Sequence, residues 1–593
     1  MENFRALTNQ VAEDLGWLEE HCLKKGDKSG QSAQLRLSAA LVRNCIGPYL
    51  DGQPAKPLHV SVLGGAGAGK STVSNMLVGA PVAEANPQAG FTRHPIAYTS
   101  TEGASSWAGH LGFLGKLQRL AQPTASSMDS DVYQVRSVHV DGSLPTILNK
   151  YVVWDCPDMT TYAALGYVSR LLEVAGLSDV IVYVASDERY NDEVPTRFLK
   201  LLLEAGKPVV CVLTKMREAE APAFLAHFQK DVLSKMPPGN PLCVAIPSLP
   251  KAALEDPARQ AAKYRIPILN QVNVLGEPLA DARRRSVRHA MAYLLSQQEN
   301  LVAVARHDVN ALQSWRTIVQ SGQVEFENRY RREYLAGERF RRFDEALVRL
   351  LELLELPGVG KSLSQALYVV RTPFRLLKGL VTKQLARPEA PPIPEQPVLE
   401  GALSSWLDML RKEATQRANT HPLWAHVEKG FQGGLNDKAR ERFQQSLRTF
   451  QQAQGEEIER TARQIYEDLE KNPVALNTLR GSKFALDAAA VLAALAMGGI
   501  NVWDIVLVPL MASVTHQLVE LMGARYVDNQ REAARERQAE LVKQHVAIPL
   551  GEFLAQWPAT GGSSYERLQS ALKRIPSGLQ QLNEAVTKAL AAK

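Results

Sequence analysis

Nine residues constrain this chain more than any others: Gly64-Gly65-Ala66-Gly67-Ala68-Gly69-Lys70-Ser71-Thr72. They fit the spacing G-x-x-x-x-G-K-[ST], a loop whose glycines let successive backbone N–H groups face a polyphosphate. The flanks suit the same geometry. Leu58-His59-Val60-Ser61-Val62-Leu63 reads as a short buried strand, and Thr72-Val73-Ser74-Asn75-Met76-Leu77-Val78 as the start of a helix. Strand, glycine-rich turn and helix N-terminus in that order form an anion cradle. In such a cradle Lys70 reaches the β- and γ-phosphates, and the Ser71 hydroxyl holds Mg²⁺. The sequence therefore predicts an α/β domain with a nucleotide at the end of its first strand.

A chain of 593 residues is too long for one core and implies two to four domains. Residues 1–55 read as N-terminal helices, with Phe4, Leu7, Val11, Leu15 and Leu18 on one face. Residues 56–290 alternate apolar strands with amphipathic helices, the pattern of a largely parallel sheet covered on both faces. Strands are expected at Val132–Val140, Tyr151–Trp154, Asp179–Ala185, Pro208–Leu213 and Leu242–Ile246. Beyond that the strand signal ends. A helical region over 291–387 leads to a proline-rich linker at 388–397, and a C-terminal helical region follows over 398–593.

Further motifs appear in the order that nucleotide chemistry requires. Phe91-Thr92-Arg93-His94-Pro95 places a threonine where switch GTPases complete the Mg²⁺ shell when the γ-phosphate is present. Val152-Val153-Trp154-Asp155-Cys156-Pro157-Asp158 ends an apolar strand on Asp155, suited to hold Mg²⁺ through water. Val210-Cys211-Val212-Leu213-Thr214-Lys215 ends another strand on a Thr-Lys pair that packs along a guanine base. The expected metal set is Ser71, Thr92 and Asp155. Lys70, Thr92 and Asp155 form the expected catalytic set, and residues 64–72 with Thr214 and Lys215 bind the nucleotide.

The series GGAGAGKST, FTRHP, WDCPD and LTK, across residues 57–250, resembles the GTPase domain of the dynamin superfamily. Its T-R-x-P form is similar to that family's switch I. Helices before the domain and a long helical region after it also resemble dynamin-like proteins, including bacterial ones. The resemblance implies GTP and Mg²⁺ as ligands, hydrolysis of GTP to GDP and phosphate, and self-association at a membrane. Three positions depart from the family pattern. Asp158 stands where D-x-P-G has its glycine, and its carboxylate would repel a triphosphate unless it points away or helps position water or metal. Arg217 stands where T-K-x-D has its base-reading aspartate, with Glu218 one residue late. Ala66 replaces a polar residue of the phosphate loop. The expected consequences are weakened guanine discrimination and hydrolysis that is either slow or completed by a residue from a partner subunit.

Two segments bear on partners. Between Leu356 and Pro388 lie six cations (Lys361, Arg371, Arg375, Lys378, Lys383, Arg387) and no anion, a local excess that matches the net charge of +6. Such a basic amphipathic stretch suits either anionic lipid headgroups or a solvated face over a core. With few aromatic residues for base stacking, nucleic acid is disfavoured, although a ribosome- or RNA-associated GTPase would use the same cations. The apolar stretch 484–519, interrupted by Gly498-Gly499-Ile500-Asn501 and Asp504, has arms too short to cross a bilayer singly. It reads as a helical hairpin, dipping into one leaflet or buried in a bundle. Five scattered cysteines and no apolar leader point to a reducing, cytoplasmic setting with peripheral attachment to a membrane face. The competing expectation is a soluble nucleotide-dependent switch or scaffold with little turnover.

Overall fold

The structure, a computed structural model, describes residues 4–591 apart from 28–29, 53–56, 85–90, 101–116, 127–130, 140–144, 160–163, 239–240, 338–339, 341, 355–393, 482–507 and 560–563. The chain divides into two compact units, one of Met1–His307 with Tyr565–Lys593 and one of Asp308–Ser564.

Among the described residues, the first unit is built on an eight-stranded sheet. Its strands are β1 (Leu58–Gly64), β2 (Ile96–Ser100), β3 (Gln118–Arg119), β4 (Val132–Val138), β5 (Tyr151–Asp155), β6 (Val180–Ser186), β7 (Val209–Thr214) and β8 (Leu242–Ile246). Their spatial order is β3-β4-β2-β5-β1-β6-β7-β8. Every neighbouring pair is parallel except β2 with β5, which run antiparallel with Ile96 opposite Asp155. The central strands β1, β5, β6 and β7 are buried along their whole lengths. That is why β5, β6 and β7 read as nearly continuous apolar runs, whereas β1 buries the polar His59 and Ser61 between its apolar residues. Val60, Val62, Val153, Val182, Val184, Val210 and Val212 join Met76, Leu77, Ile268 and Val272 in one core.

Helices from both ends of the chain complete this unit. Phe4–Lys24 carries Val11, Leu15 and Leu18 at helical spacing, and all three are buried. Gln31–Leu41 packs on Ala164–Leu177, close enough that a Cβ on Gly176 would lie 2.7 Å from the Cβ of Ala40. Ser564–Ala591 lies against the first helix: Arg574 bonds Asp14 at 2.5 Å, and a Cβ on Gly578 would fall 2.5 Å from Val11.

The second unit is all helix among its described residues. The longest helix, Leu435–Glu470, has 36 residues, which at 1.5 Å per residue is about 54 Å. Phe343, Leu347, Leu350, Leu351 and Leu354 present one face of a neighbouring helix to a core completed by Ile465, Leu469, Leu479, Val514 and Leu518. Each such side chain contributes roughly 1.5–3 kcal/mol on burial. Two sequence features change character here. Gln396 and Pro397, at the end of the proline-rich stretch, open the helix Gln396–Arg417 instead of extending the linker, because proline lacks only an N–H that the first turn leaves unbonded anyway. The second apolar arm lies partly in the helix Val508–Met522, where Val514 and Leu518 face the bundle core. The first arm and the whole basic segment lie outside the described residues. No helix among the described residues is long and apolar enough to cross a membrane.

Candidate nucleotide-binding site

β5, β1, β6 and β7 are neighbours and run in parallel, so their carboxyl ends share one edge of the sheet. Ligands of open α/β sheets lie outside that edge. β1 ends on Gly64, where no other residue fits, since a Cβ would sit 2.2 Å from the carbonyl oxygen of Val184 on β6. The loop then turns into the helix Lys70–Val78 through Gly69, whose φ of 87° is left-handed. Gly79 closes that helix with an N–H bond to the Asn75 carbonyl at 2.7 Å. The residues between Gly64 and Lys70 are therefore held as a curl at a helix N-terminus, the backbone geometry that the spacing predicts.

Three motifs meet there. Ser71 Oγ donates to one carboxylate oxygen of Asp155 at 3.0 Å, and Ser74 Oγ donates to the other at 2.9 Å. Thr214 Oγ1 donates to the carbonyl of Ala68 at 2.7 Å and so ties the end of β7 to the phosphate loop. The next residue, Lys215, takes a φ of 68°, and among the described residues it is the one non-glycine residue with a positive value. Such a backbone costs of order 1–3 kcal/mol and is usually kept for function.

Lys70 is 6% exposed and donates to the carbonyl of Gly65 at 3.0 Å. It also forms a buried ion pair with Asp158. Burial pushes the Asp155 carboxyl above its usual range, while the hydroxyls of Ser74 and Ser71 and the charge of Lys70 pull the other way. A buried carboxylate with a serine hydroxyl beside it is a hard oxygen set of the kind Mg²⁺ takes with substrate phosphates. Ser71 and Asp155 fit that ion.

Thr92 is buried, but among the described residues it makes no hydrogen bond to Ser71 or Asp155. Its segment is pinned from the other side. Arg93 N–H bonds the Ser126 carbonyl at 3.0 Å, the Arg93 carbonyl accepts from Arg170 at 2.6 Å, and the Gln134 side chain meets His94. The structure thus joins Lys70, Ser71, Asp155 and Thr214 around one loop, with no hydrogen bond from Thr92 to Ser71 or Asp155 among the described residues. Arg217 points into solvent, 86% exposed, and pairs with Glu220 at 2.5 Å. Glu218 is also exposed, and its partner Lys263 lowers its carboxyl pKa. Ser74 is the site residue that sequence reading missed. Its signal was its place three residues after Ser71, on the same helix face.

Residues 59–215 match the family described as 50S ribosome-binding GTPase. The first unit contains a P-loop GTPase domain. No match was found among curated proteins. Two solved structures align with most of the chain, both described as an oligomerised bacterial dynamin pair that senses and tethers membranes at long range. One covers 94% of this chain and 96% of its own at 12% identity, with a TM-score of 0.36. The other covers 94% and 96% at 13% identity, with a TM-score of 0.34. The architecture, a GTPase domain followed by a large helical region, is that expected from the sequence.

Proposed function

We propose that this chain is a dynamin-like GTP-binding protein, a slow GTPase whose helical region couples nucleotide state to association with an anionic membrane surface. One observation carries the nucleotide half: Lys70, Ser71, Asp155 and Thr214 converge at the carboxyl ends of β1, β5 and β7. In this reading the loop amides and Lys70 bind the phosphates. Ser71 and Asp155 would hold Mg²⁺, which supplies charge neutralisation at the β- and γ-phosphates. Thr214 and Lys215 would line the base. Thr92 would move to the γ-phosphate, because its segment already stands buried beside the sheet. Slow turnover follows from Ala66, which offers no polar side chain, and from Asp158, which occupies Lys70. Arg217, being exposed and cationic, cannot accept the guanine N–H donors, so base preference is modest.

The membrane half rests on the basic segment between Lys361 and Arg387 and on the apolar stretch 484–519. Self-association of copies would bring such segments together on one surface.

Two measurements test the two halves. A titration with fluorescent guanine nucleotides should show Lys70→Ala losing affinity by about 100-fold or more, since a charge-assisted phosphate contact disappears. Equal affinity would refute the site. Flotation of the full chain on vesicles containing anionic lipid, with and without a non-hydrolysable GTP analogue, should recover protein in the lipid fraction when the analogue is present. Protein left at the bottom in both cases would favour the second reading, a soluble switch. The burial of Val514 and Leu518 within the helical core already supports that alternative.

A further inference from the structure

Asp158 is the feature of the site that the nucleotide reading does not use. It follows β5 by three residues, is 9% exposed at its side chain, and sits in contact with the Lys70 ammonium. Lys70 therefore has its phosphate-binding end already taken by an internal carboxylate, with the Gly65 carbonyl as its other partner. Asp155 adds a second buried carboxylate close enough to feel both the lysine and Asp158. The ground state of the pocket thus places negative charge on the atom that a terminal phosphate would seek.

The two nucleotide states meet this arrangement differently. A diphosphate brings only its β-phosphate toward Lys70 and can rest chiefly on the loop amides, so it disturbs the Lys70–Asp158 pair less. A triphosphate must place its γ-phosphate against Lys70, which breaks a buried ion pair and sets like charges side by side. Both effects oppose binding.

We propose that Asp158 sets the nucleotide state of this site, so that a guanosine diphosphate binds more tightly than the triphosphate until the Asp158 carboxylate is moved off Lys70. The inference rests on the nucleotide-binding reading above. It makes Asp158 a specificity-determining residue and the resting protein a diphosphate-bound one.

The test compares the full-length wild-type chain with Asp158→Asn and Asp158→Gly, using fluorescent GDP and a fluorescent non-hydrolysable GTP analogue in the presence of Mg²⁺. Asn keeps the shape and removes the charge; Gly removes the side chain. Thermal melting establishes that each variant is folded. Wild type should bind the diphosphate about tenfold or more tightly than the triphosphate, as expected for like charges brought together. Both variants should gain about tenfold in triphosphate affinity, with diphosphate affinity changed by less than about threefold. A wild type that favours the triphosphate or binds both equally overturns the proposal. So does a loss of triphosphate affinity in the variants, which would make Asp158 a group that positions phosphate or metal. If no protein of the three binds either nucleotide, the site reading itself fails, and that result is distinct from a wrong preference.

Discussion

Each unit of this protein buries an ion pair, and the two pairs have opposite surroundings. In the GTPase domain, Lys70 and Asp158 meet between a glycine-rich loop and a strand end, with serine hydroxyls and a second carboxylate close by. In the helical unit, Glu395 is fully buried and accepts from Arg342 at 2.8 and 2.7 Å on its two oxygens. One of those oxygens also accepts from Gln454 at 2.6 Å and from Gln538 at 3.0 Å. Four separate segments supply that cluster, so its register fixes how the helices stack. The first pair is placed where a ligand can replace a partner, and the second where every partner is protein. Burial of charge by itself does not tell a site from a structural clamp. The surrounding donors do.

The comparison can be broken most forcefully at Glu395. Glu395→Ala leaves buried Arg342 with Glu345 as its remaining carboxylate and strips the Gln454 and Gln538 amides of their shared acceptor. That loss of charge-assisted bonds costs about 3 kcal/mol. Urea unfolding should show this loss in the helical unit. A change below about 1 kcal/mol would mean that the cluster is no clamp.

A smaller effect distinguishes the GTPase domain by pH. His59 on β1 is buried and accepts the Trp154 indole N–H at 3.1 Å through Nδ1. Burial, with help from Arg283, holds its pKa well below the ordinary value of 6.5. The unfolded chain therefore binds a proton that the folded chain refuses. Stability from this group is complete above about pH 6.5 and declines below it, by about 1.4 kcal/mol per pH unit until the folded-state pKa is reached. Melting curves between pH 7.5 and 5.5 should show that slope in wild type, and His59→Gln should flatten it. An unchanged slope would remove His59 as the cause.

The finest test concerns the strut between β7 and the phosphate loop. Thr214→Val keeps the shape and deletes the hydroxyl that bonds the Ala68 carbonyl. The expected cost is about 1 kcal/mol in stability, together with weaker nucleotide binding in the fluorescent titration. Full binding with the same stability loss would confine Thr214 to a structural role.

Much of the GTPase domain was legible in the sequence because its central strands are buried on both faces and, β1 with His59 and Ser61 excepted, carry nearly unbroken apolar runs. Tyr151–Asp155, Val209–Thr214 and Leu242–Ile246 fall within a residue or so of their expected positions. β2 was not legible. Ile96-Ala97-Tyr98-Thr99-Ser100 is short and turns polar, and its antiparallel pairing with β5 leaves no mark on either strand. In the site, the spacing from Gly64 to Ser71 placed the loop, because a phosphate cradle depends on local backbone geometry. The partner of Asp158 could not be read, since Lys70 lies 88 residues away and only the fold brings the two together.

What the sequence alone determined is what local chemistry dictates: a glycine-rich turn between strand and helix, acids and hydroxyls at strand ends, and amphipathic helices elsewhere. What tertiary structure decided is which distant groups share a buried space. Asp14 meets Arg574 across nearly the whole chain, and Glu395 gathers Arg342, Gln454 and Gln538 from three other helices. These pairings depend on burial, where a charge without a partner is too costly to keep, and no periodicity along the chain records which partner that will be.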